Sequence, residues 1–132
     1  MTLKQYAALC YRKGPKGREV LLVTSSSGRW ILPKGWAIPG HSEAGSALVE
    51  AWEEGGVEKG KPKPRPLGSY KSVKTGPGGR RTPTEVTVYA VKVRKMAGDY
   101  PEADRRSRRW VSPKKAAKLV SNKSLAKILK RF

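Results

Sequence analysis

The apolar residues of this 132-residue chain form short blocks separated by glycine, proline and charged residues. The first two blocks, residues 5–11 and 19–24, have the length and composition of strands. A Gly-Pro-Lys-Gly cluster at 14–17 separates them and predicts a turn, so the two strands should form a hairpin. A second turn is predicted over residues 25–28, followed by a short apolar run at 30–32.

The next periodic segment predicts a helix. It follows a loop over residues 33–41, which Gly35, Pro39 and Gly40 interrupt. Ser42 is a suitable N-cap, and a Gly-Gly pair at 55–56 is a typical helix end. Apolar residues recur at three- and four-residue steps and form one stripe: Ala44, Ala47, Leu48 and Ala51.

The second half of the chain predicts further strands and then helices. Residues 85–93 are the strongest strand candidate, and their apolar residues in both phases indicate a central strand covered on both faces. Residues 67–75 are a weaker strand candidate. The expected connections are an exposed linker at 59–66, a turn or mobile loop at 76–81 and an irregular segment at 99–109.

Two helices are predicted near the C-terminus. Ser112-Pro113 is a cap followed by a first-turn proline, and it begins a helix that extends to about Val120. Ser121 or Asn122 begins the last, amphipathic helix. The order of strands, helix, strands and helices predicts one mixed α/β or α+β domain over residues 1–132.

Charge suggests the kind of partner. The chain has 29 Lys and Arg residues against ten Asp and Glu residues, a net charge of +19, which favours an anionic partner. A single cysteine, Cys10, allows no internal disulfide, so we expect a reduced, cytoplasmic setting. No apolar run reaches the roughly 18 residues of a membrane span, so no membrane partner is expected.

The acidic residues are concentrated in one place. Five of the ten lie between positions 43 and 58, where there is no lysine or arginine. Glu50, Glu53 and Glu54 stand at i, i+3 and i+4, which places them on one face of the predicted helix. Their oxygen ligands would suit Mg²⁺ or Mn²⁺. The alternative is an acidic helix face exposed to solvent.

The spacing of these residues resembles a known motif. Gly35 and the segment from Glu50 to Val57 resemble the Nudix box, G-x5-E-x7-R-E-U-x-E-E-x-G-U, in which U is a bulky apolar residue. His41 and Val49 stand where the box has glutamate and arginine. The resemblance to Nudix hydrolases covers essentially the whole chain, and it implies an α/β/α sandwich with a mixed central sheet.

The resemblance also implies an activity and its residues. Nudix hydrolases cleave a diphosphate linkage with the help of Mg²⁺ or Mn²⁺. The implied metal site consists of Glu50, Glu53, Glu54 and the backbone near Gly35, and Glu53 and Glu54 are the first candidates for the catalytic base. The family arginine helps to hold the glutamates, so Val49 should leave the acidic face without its internal cation and impair the site. The family often adds a carboxylate from outside the box; the candidates, which the sequence does not rank, are Glu85, Glu102 and Asp104.

Basic residues around the box are candidates for binding the substrate phosphates, and arginine suits that role because it can form two hydrogen bonds at once. They are Lys34, Arg29, Arg80 and Arg81. The expected partner is an anionic phosphorylated small molecule. The sequence looks most similar to the branch that acts on diphosphoinositol polyphosphates or diadenosine polyphosphates. Tyr70, Tyr89 and Trp36 could stack on a base or belong to the core, and His41 is expected to be structural or solvated.

Two other interpretations stay open. The first is a non-catalytic nucleic-acid-binding module on the same fold. The segment from Arg105 onward supports it, with eleven basic residues and no acid, including Arg106, Arg108 and Arg109 around Trp110. The second is an engineered, supercharged variant, because +19 lies far outside the range of about 2–8 usual in designed small domains. The sequence does not distinguish a monomer from a dimer.

Overall fold

The structure is a computed structural model that describes residues 2–132. Over these residues the first half consists of strands β1 (Leu3–Gly14), β2 (Gly17–Thr24), β3 (Trp30–Ile31) and β4 (Lys34–Gly35), then helix α1 (Glu43–Gly55). The second half consists of strands β5 (Val57–Pro62), β6 (Gly68–Thr75), β7 (Arg81–Met96) and β8 (Arg108–Val111), then helices α2 (Pro113–Leu119) and α3 (Lys123–Arg131). A short 3₁₀ turn, Pro77–Gly79, joins β6 to β7.

The strands form one mixed sheet in the order β3-β2-β1-β7-β5. Its centre is the parallel pair of β1 and β7, in register from Leu3 opposite Thr84 to Tyr11 opposite Lys92. The other pairs are antiparallel: β1 with β2, β2 with β3, β4 with β1, β8 with β2, and β6 and β5 with the two halves of β7. The predicted mixed sheet and the first hairpin are therefore confirmed.

Helices cover both faces of the sheet. Because neighbouring strand residues point to opposite sides, Leu9 of β1 faces α2 and α3, whereas Cys10 faces α1. Leu125 and Leu129 of α3 pack into the first core. The apolar stripe of α1 packs into the second core, on the opposite face of the sheet, as the periodicity predicted. Both faces of β7 are buried, so the prediction of a central, doubly covered strand is confirmed.

The predicted linker over residues 59–66 was wrong in its first half. Residues 57–62 form β5, an edge strand paired with the end of β7. The backbone of β5 is hydrogen-bonded while the side chains of Lys59 and Lys61 are exposed. An edge strand of this kind has no apolar alternation, so the sequence pattern did not reveal it.

Two other predicted irregular segments contain short strands. Lys34 and Gly35 form β4 within the predicted loop, opposite Ala7 and Tyr6 of β1. Arg108 begins β8 within the segment predicted to be irregular. The N-cap prediction is confirmed, because the Ser42 hydroxyl accepts a hydrogen bond from the backbone N–H of Gly45 at 3.0 Å. No helix in residues 2–132 is long and apolar enough to cross a membrane.

Candidate active site

Glu54 lies at the centre of the candidate site. It is on the last turn of α1, is only 6% exposed and accepts a hydrogen bond from the backbone N–H of Lys34 in β4 at 3.2 Å. Burial raises the pKa of Glu54 to about 8, and the nearby charges of Glu50 and Glu102 add to that effect. The backbone hydrogen bond and the positive charge of Arg106 oppose it.

Glu50 lies one helical turn before Glu54, and the two carboxyl groups interact. Burial, the largest effect, raises the pKa of Glu50, whereas its interaction with Glu54 lowers that pKa. Gly35 allows this arrangement. A Cβ atom at position 35 would lie 2.6 Å from Glu50 Oε2, so any side chain there would displace the carboxylate.

The other glutamates hold less central positions. Glu53 is half-buried, its charge raises the pKa of Glu50, and its carbonyl oxygen accepts a hydrogen bond from the Glu102 N–H at 3.0 Å. That bond brings Glu102 to α1, where its charge raises the pKa of both Glu50 and Glu54. Glu85 lies opposite Lys71 in the β6–β7 pair, and Asp104 is exposed. Of the three candidates outside the box, Glu102 is therefore the one beside the carboxylates.

The donor set fits a hard divalent cation. In the part of the chain that the structure describes, no three His, Cys, Asp or Glu side chains are already gathered as a complete metal-binding group. Glu50 and Glu54 are both partly buried, and each raises or lowers the pKa of the other because their carboxyl groups are close. A cation with oxygen ligands suits such a pair, because it removes the repulsion between two partly buried carboxylates.

Arg106 is the cation that the structure places among these acids. Its Nε donates to Glu102 Oε1 at 2.7 Å, its Nη1 donates to the Thr24 carbonyl at 2.7 Å, and its Nη2 lies 3.7 Å from Glu54 Oε2. Its side chain is 20% exposed. Sequence reasoning had placed Arg106 only in the basic C-terminal segment, and no local pattern points to its contact with α1.

A basic cleft of about 880 Å³ extends over β6 and the start of β7, and it adjoins the carboxylates through Lys34, whose backbone N–H is bonded to Glu54. Its lining includes five cations but, among the described residues, no carboxylate. They are Arg29, Lys34, Lys71, Lys74 and Arg81. Three of the four basic residues singled out in the sequence are thus together in one cleft. Arg80 is exposed in the connecting turn and is not part of the lining.

Sequence reasoning missed Lys71 and Lys74. Both are exposed on β6. The pairing of β6 with β7 brings Lys74 near Arg81, and both lysines line the same cleft as Lys34. Within the cleft, desolvation and the charge of Lys74 lower the pKa of Lys34. The Nζ of Lys34 donates to Gln5 Oε1 at 2.8 Å, which holds the side chain near the start of β1.

The aromatic candidates have different environments. Tyr70 is buried in the core and also lines the cleft. Tyr89 is buried on the other side of the sheet, and its hydroxyl donates to Glu43 at 2.8 Å. Trp36 is 41% exposed, with Lys74 Nζ 5.8 Å from its ring centre. His41 is exposed beside the N-terminus of α1.

The comparison with protein families decides the identity. The model of the NUDIX domain matches residues 3–132. The chain belongs to the Nudix family. Two human relatives, diphosphoinositol polyphosphate phosphohydrolases 3-alpha and 3-beta, are 34% and 35% identical to it, and each alignment covers 89% of this chain and 68% of the relative.

Solved structures show the same Nudix fold. The Ap4A hydrolase of C. elegans has a TM-score of 0.73 at 22% identity, with 100% of this chain and 96% of that one covered. The NUDIX domain of Shewanella oneidensis NrtR, solved with ADP ribose, has a TM-score of 0.65 at 17% identity, with 99% and 88% covered. The expected fold class, a mixed sheet between helical layers, is thereby confirmed.

Val49 supplies no cation to the acidic face, and whether its presence impairs the site stays a prediction. The structure places a cation there from outside the box, since Arg106 contacts Glu54 and Glu102. Arg106 and Arg108 also do not belong to an exposed basic surface. Arg108 donates to the Gly55 carbonyl at 3.0 Å and lies over the Tyr100 ring at 4.7 Å. Both arginines hold the end of α1, which leaves fewer charges in this segment for nucleic acid.

Proposed function

We propose that this Nudix-family chain hydrolyses a diphosphate linkage in a highly phosphorylated small molecule and depends on Mg²⁺ or Mn²⁺. One observation carries the proposal: Lys34, one of the five cations that line the cleft, donates its backbone N–H to the buried Glu54 of the carboxylate group. The cations would neutralise several phosphate groups. The carboxylates would hold the divalent ion at the edge of the same cleft, next to Lys34.

Each residue has a proposed task. Glu50, Glu53, Glu54 and the backbone near Gly35 would hold the ion, which when bound neutralises phosphate oxygens and makes a water molecule more acidic. Glu54 and Glu53 are the candidates for accepting the proton of the attacking water. Both lie on the carboxylate face of α1, where Glu54 is buried and Glu53 is half-buried.

The substrate that we favour carries more phosphate than a nucleoside diphosphate does. The human relatives are named for diphosphoinositol polyphosphates, and the C. elegans structure is an Ap4A hydrolase. Five cations and a group of serine and threonine hydroxyls line the cleft, a surface that suits a polyanion of either kind. A diphosphoinositol polyphosphate or a dinucleoside polyphosphate is therefore the proposed substrate class.

A substrate panel tests the proposal. Diphosphoinositol polyphosphates, dinucleoside polyphosphates, nucleotide sugars and nucleoside triphosphates would be incubated with the protein and Mg²⁺ or Mn²⁺, and the released phosphate products measured. We expect the first two classes to have the highest kcat/KM and Glu54→Gln to remove nearly all turnover. If no compound is hydrolysed faster by the wild type than by Glu54→Gln, the proposal is wrong.

A second measurement tests the role of the cleft. Arg81 lines the cleft, whereas Arg94 lies on the same strand and is exposed outside the lining. Arg81→Gln should raise KM for the best substrate about tenfold, because it removes roughly one charge-assisted hydrogen bond to a phosphate. Arg94→Gln is the matched control and should leave KM unchanged. Equal KM values for the two variants would exclude the cleft as the phosphate-binding surface.

A further inference from the structure

The cation beside the carboxylates comes from a part of the chain remote from the Nudix box. Position 49, where the box has arginine, is a half-buried valine on α1. Arg106 lies between the turn that follows Tyr100 and the start of β8. Within residues 2–132, it forms the one ion pair with a carboxylate of Glu50, Glu53 or Glu54.

We propose that Arg106 is a positioning residue of the carboxylate site. It takes the role of the Nudix-box arginine, which is replaced by Val49 in this chain. This inference rests on the proposed function, since it concerns how the metal-binding carboxylates are held. Arg106 is not among the residues that line the cleft, so it acts through Glu54 and Glu102 rather than on the substrate. The position of an arginine in space, not its place in the motif, is what the site requires.

The geometry supports a positioning role. The three nitrogens of the guanidinium group reach three separate segments: the Thr24 carbonyl at the end of β2, Glu102 in the turn and Glu54 on α1. A planar group with several fixed donors can hold such partners in a defined relation, which a lysine ammonium cannot do. The bond from the Glu102 N–H to the Glu53 carbonyl, 3.0 Å long, ties the same turn to the helix.

The other nearby cations already have other partners. Lys34 Nζ is bonded to Gln5, and Arg108 Nη1 is bonded to the Gly55 carbonyl. Neither forms an ion pair with the carboxylates of α1. Loss of Arg106 would therefore leave Glu54, which is 6% exposed, without its ion-pair partner. We expect its carboxylate to become less well oriented for a metal ion.

The main test compares metal affinity in four proteins: the wild type, Arg106→Met, Arg106→Met with Val49→Arg, and Arg65→Met. Arg65 is exposed in the loop before β6, so its variant is the matched control. Mn²⁺ binding would be measured by titration calorimetry and by electron paramagnetic resonance. Loss of a residue that supports metal ligands typically weakens metal binding or activity by about 10- to 100-fold, and we expect an effect in that range for Arg106→Met.

The double variant distinguishes positioning from general stability. An arginine at position 49 lies one helical turn before Glu53 and can restore a cation to the carboxylate face. We expect the double variant to bind Mn²⁺ at least tenfold more tightly than Arg106→Met does. Steady-state kinetics should show that Arg106→Met lowers kcat while KM stays within about twofold, because the substrate cleft is unchanged.

Several results would overturn the inference. It is wrong if Arg106→Met binds Mn²⁺ as the wild type does, or if the double variant is folded but recovers no affinity. Unfolding in the presence of EDTA would establish that each variant is folded. If Arg106→Met does not fold, Glu102→Met takes its place, since it removes the oxygen that accepts the 2.7 Å bond and leaves the arginine; wild-type Mn²⁺ affinity in that variant would refute the inference. If the wild type binds Mn²⁺ no better than Glu50→Gln with Glu54→Gln, the proposed function fails and this inference fails with it.

Discussion

Replacing Glu54 with glutamine should stabilise the metal-free protein, and the gain should grow with pH. Burial raises the pKa of Glu54 from its usual 4.5 to about 8. Between these values the folded protein keeps a proton that the unfolded chain releases. The folded state thus binds more protons, so the wild type loses stability as pH rises through this window. Glutamine has no proton to lose, and its oxygen can still accept the Lys34 N–H.

The magnitude follows from the difference in pKa. A pH of about 7.5 lies about three units above the usual pKa of glutamate. At that pH the buried Glu54 lowers the free energy of unfolding of the wild type by on the order of 4 kcal/mol, and at pH 5 by less than about 1 kcal/mol. Because Glu54 is 6% exposed, solvent screens this cost little. A gain of this size is a large fraction of the roughly 5–15 kcal/mol that stabilise a typical domain.

Urea unfolding in EDTA at about pH 5 and pH 7.5 measures the effect. Glu54→Gln should be more stable than the wild type at pH 7.5 and nearly equal to it at pH 5. Glu58→Gln is the control, because Glu58 is exposed on β5 and pairs only with Lys95 at the surface. Adding Mg²⁺ should stabilise the wild type at pH 7.5 and have little effect on Glu54→Gln. An advantage of Glu54→Gln that is the same at both pH values would refute the reasoning.

Three further predictions concern the scaffold. Gly56 has φ +73° and a Cβ there would lie 2.7 Å from the Tyr100 ring, so Gly56→Ala should lower the free energy of unfolding by roughly 2 kcal/mol in urea; a change below about 0.5 kcal/mol would contradict this. Burial raises the pKa of the Cys10 thiol to about 12, so a thiol reagent should modify it only after unfolding, and rapid labelling of the folded protein would count against the structure. Ser42→Ala should cost about 1 kcal/mol through loss of the bond from Gly45, whereas Ser42→Asp should retain most of the stability in the same assay.

Much of the architecture could be predicted from local patterns. The hairpin, the capped helix α1, the strand β7 and the two last helices follow from periodicity and from turn or cap residues at their ends. β5 and β4 could not be predicted this way. Each is held by backbone hydrogen bonds to a neighbouring strand, and such bonds leave no trace in the order of polar and apolar side chains.

The candidate site also has features that the sequence predicts and features that only the fold creates. The sequence by itself determined that Glu50, Glu53 and Glu54 share a helix face, because helical spacing is a local property. Only the tertiary structure decided that Glu54 contacts Lys34 and that Arg106 stands beside it, more than fifty residues away along the chain. The acidic helix and its basic surroundings come together because packing α1 on the sheet brings distant segments into contact, and one sequence shows no such pairing in advance.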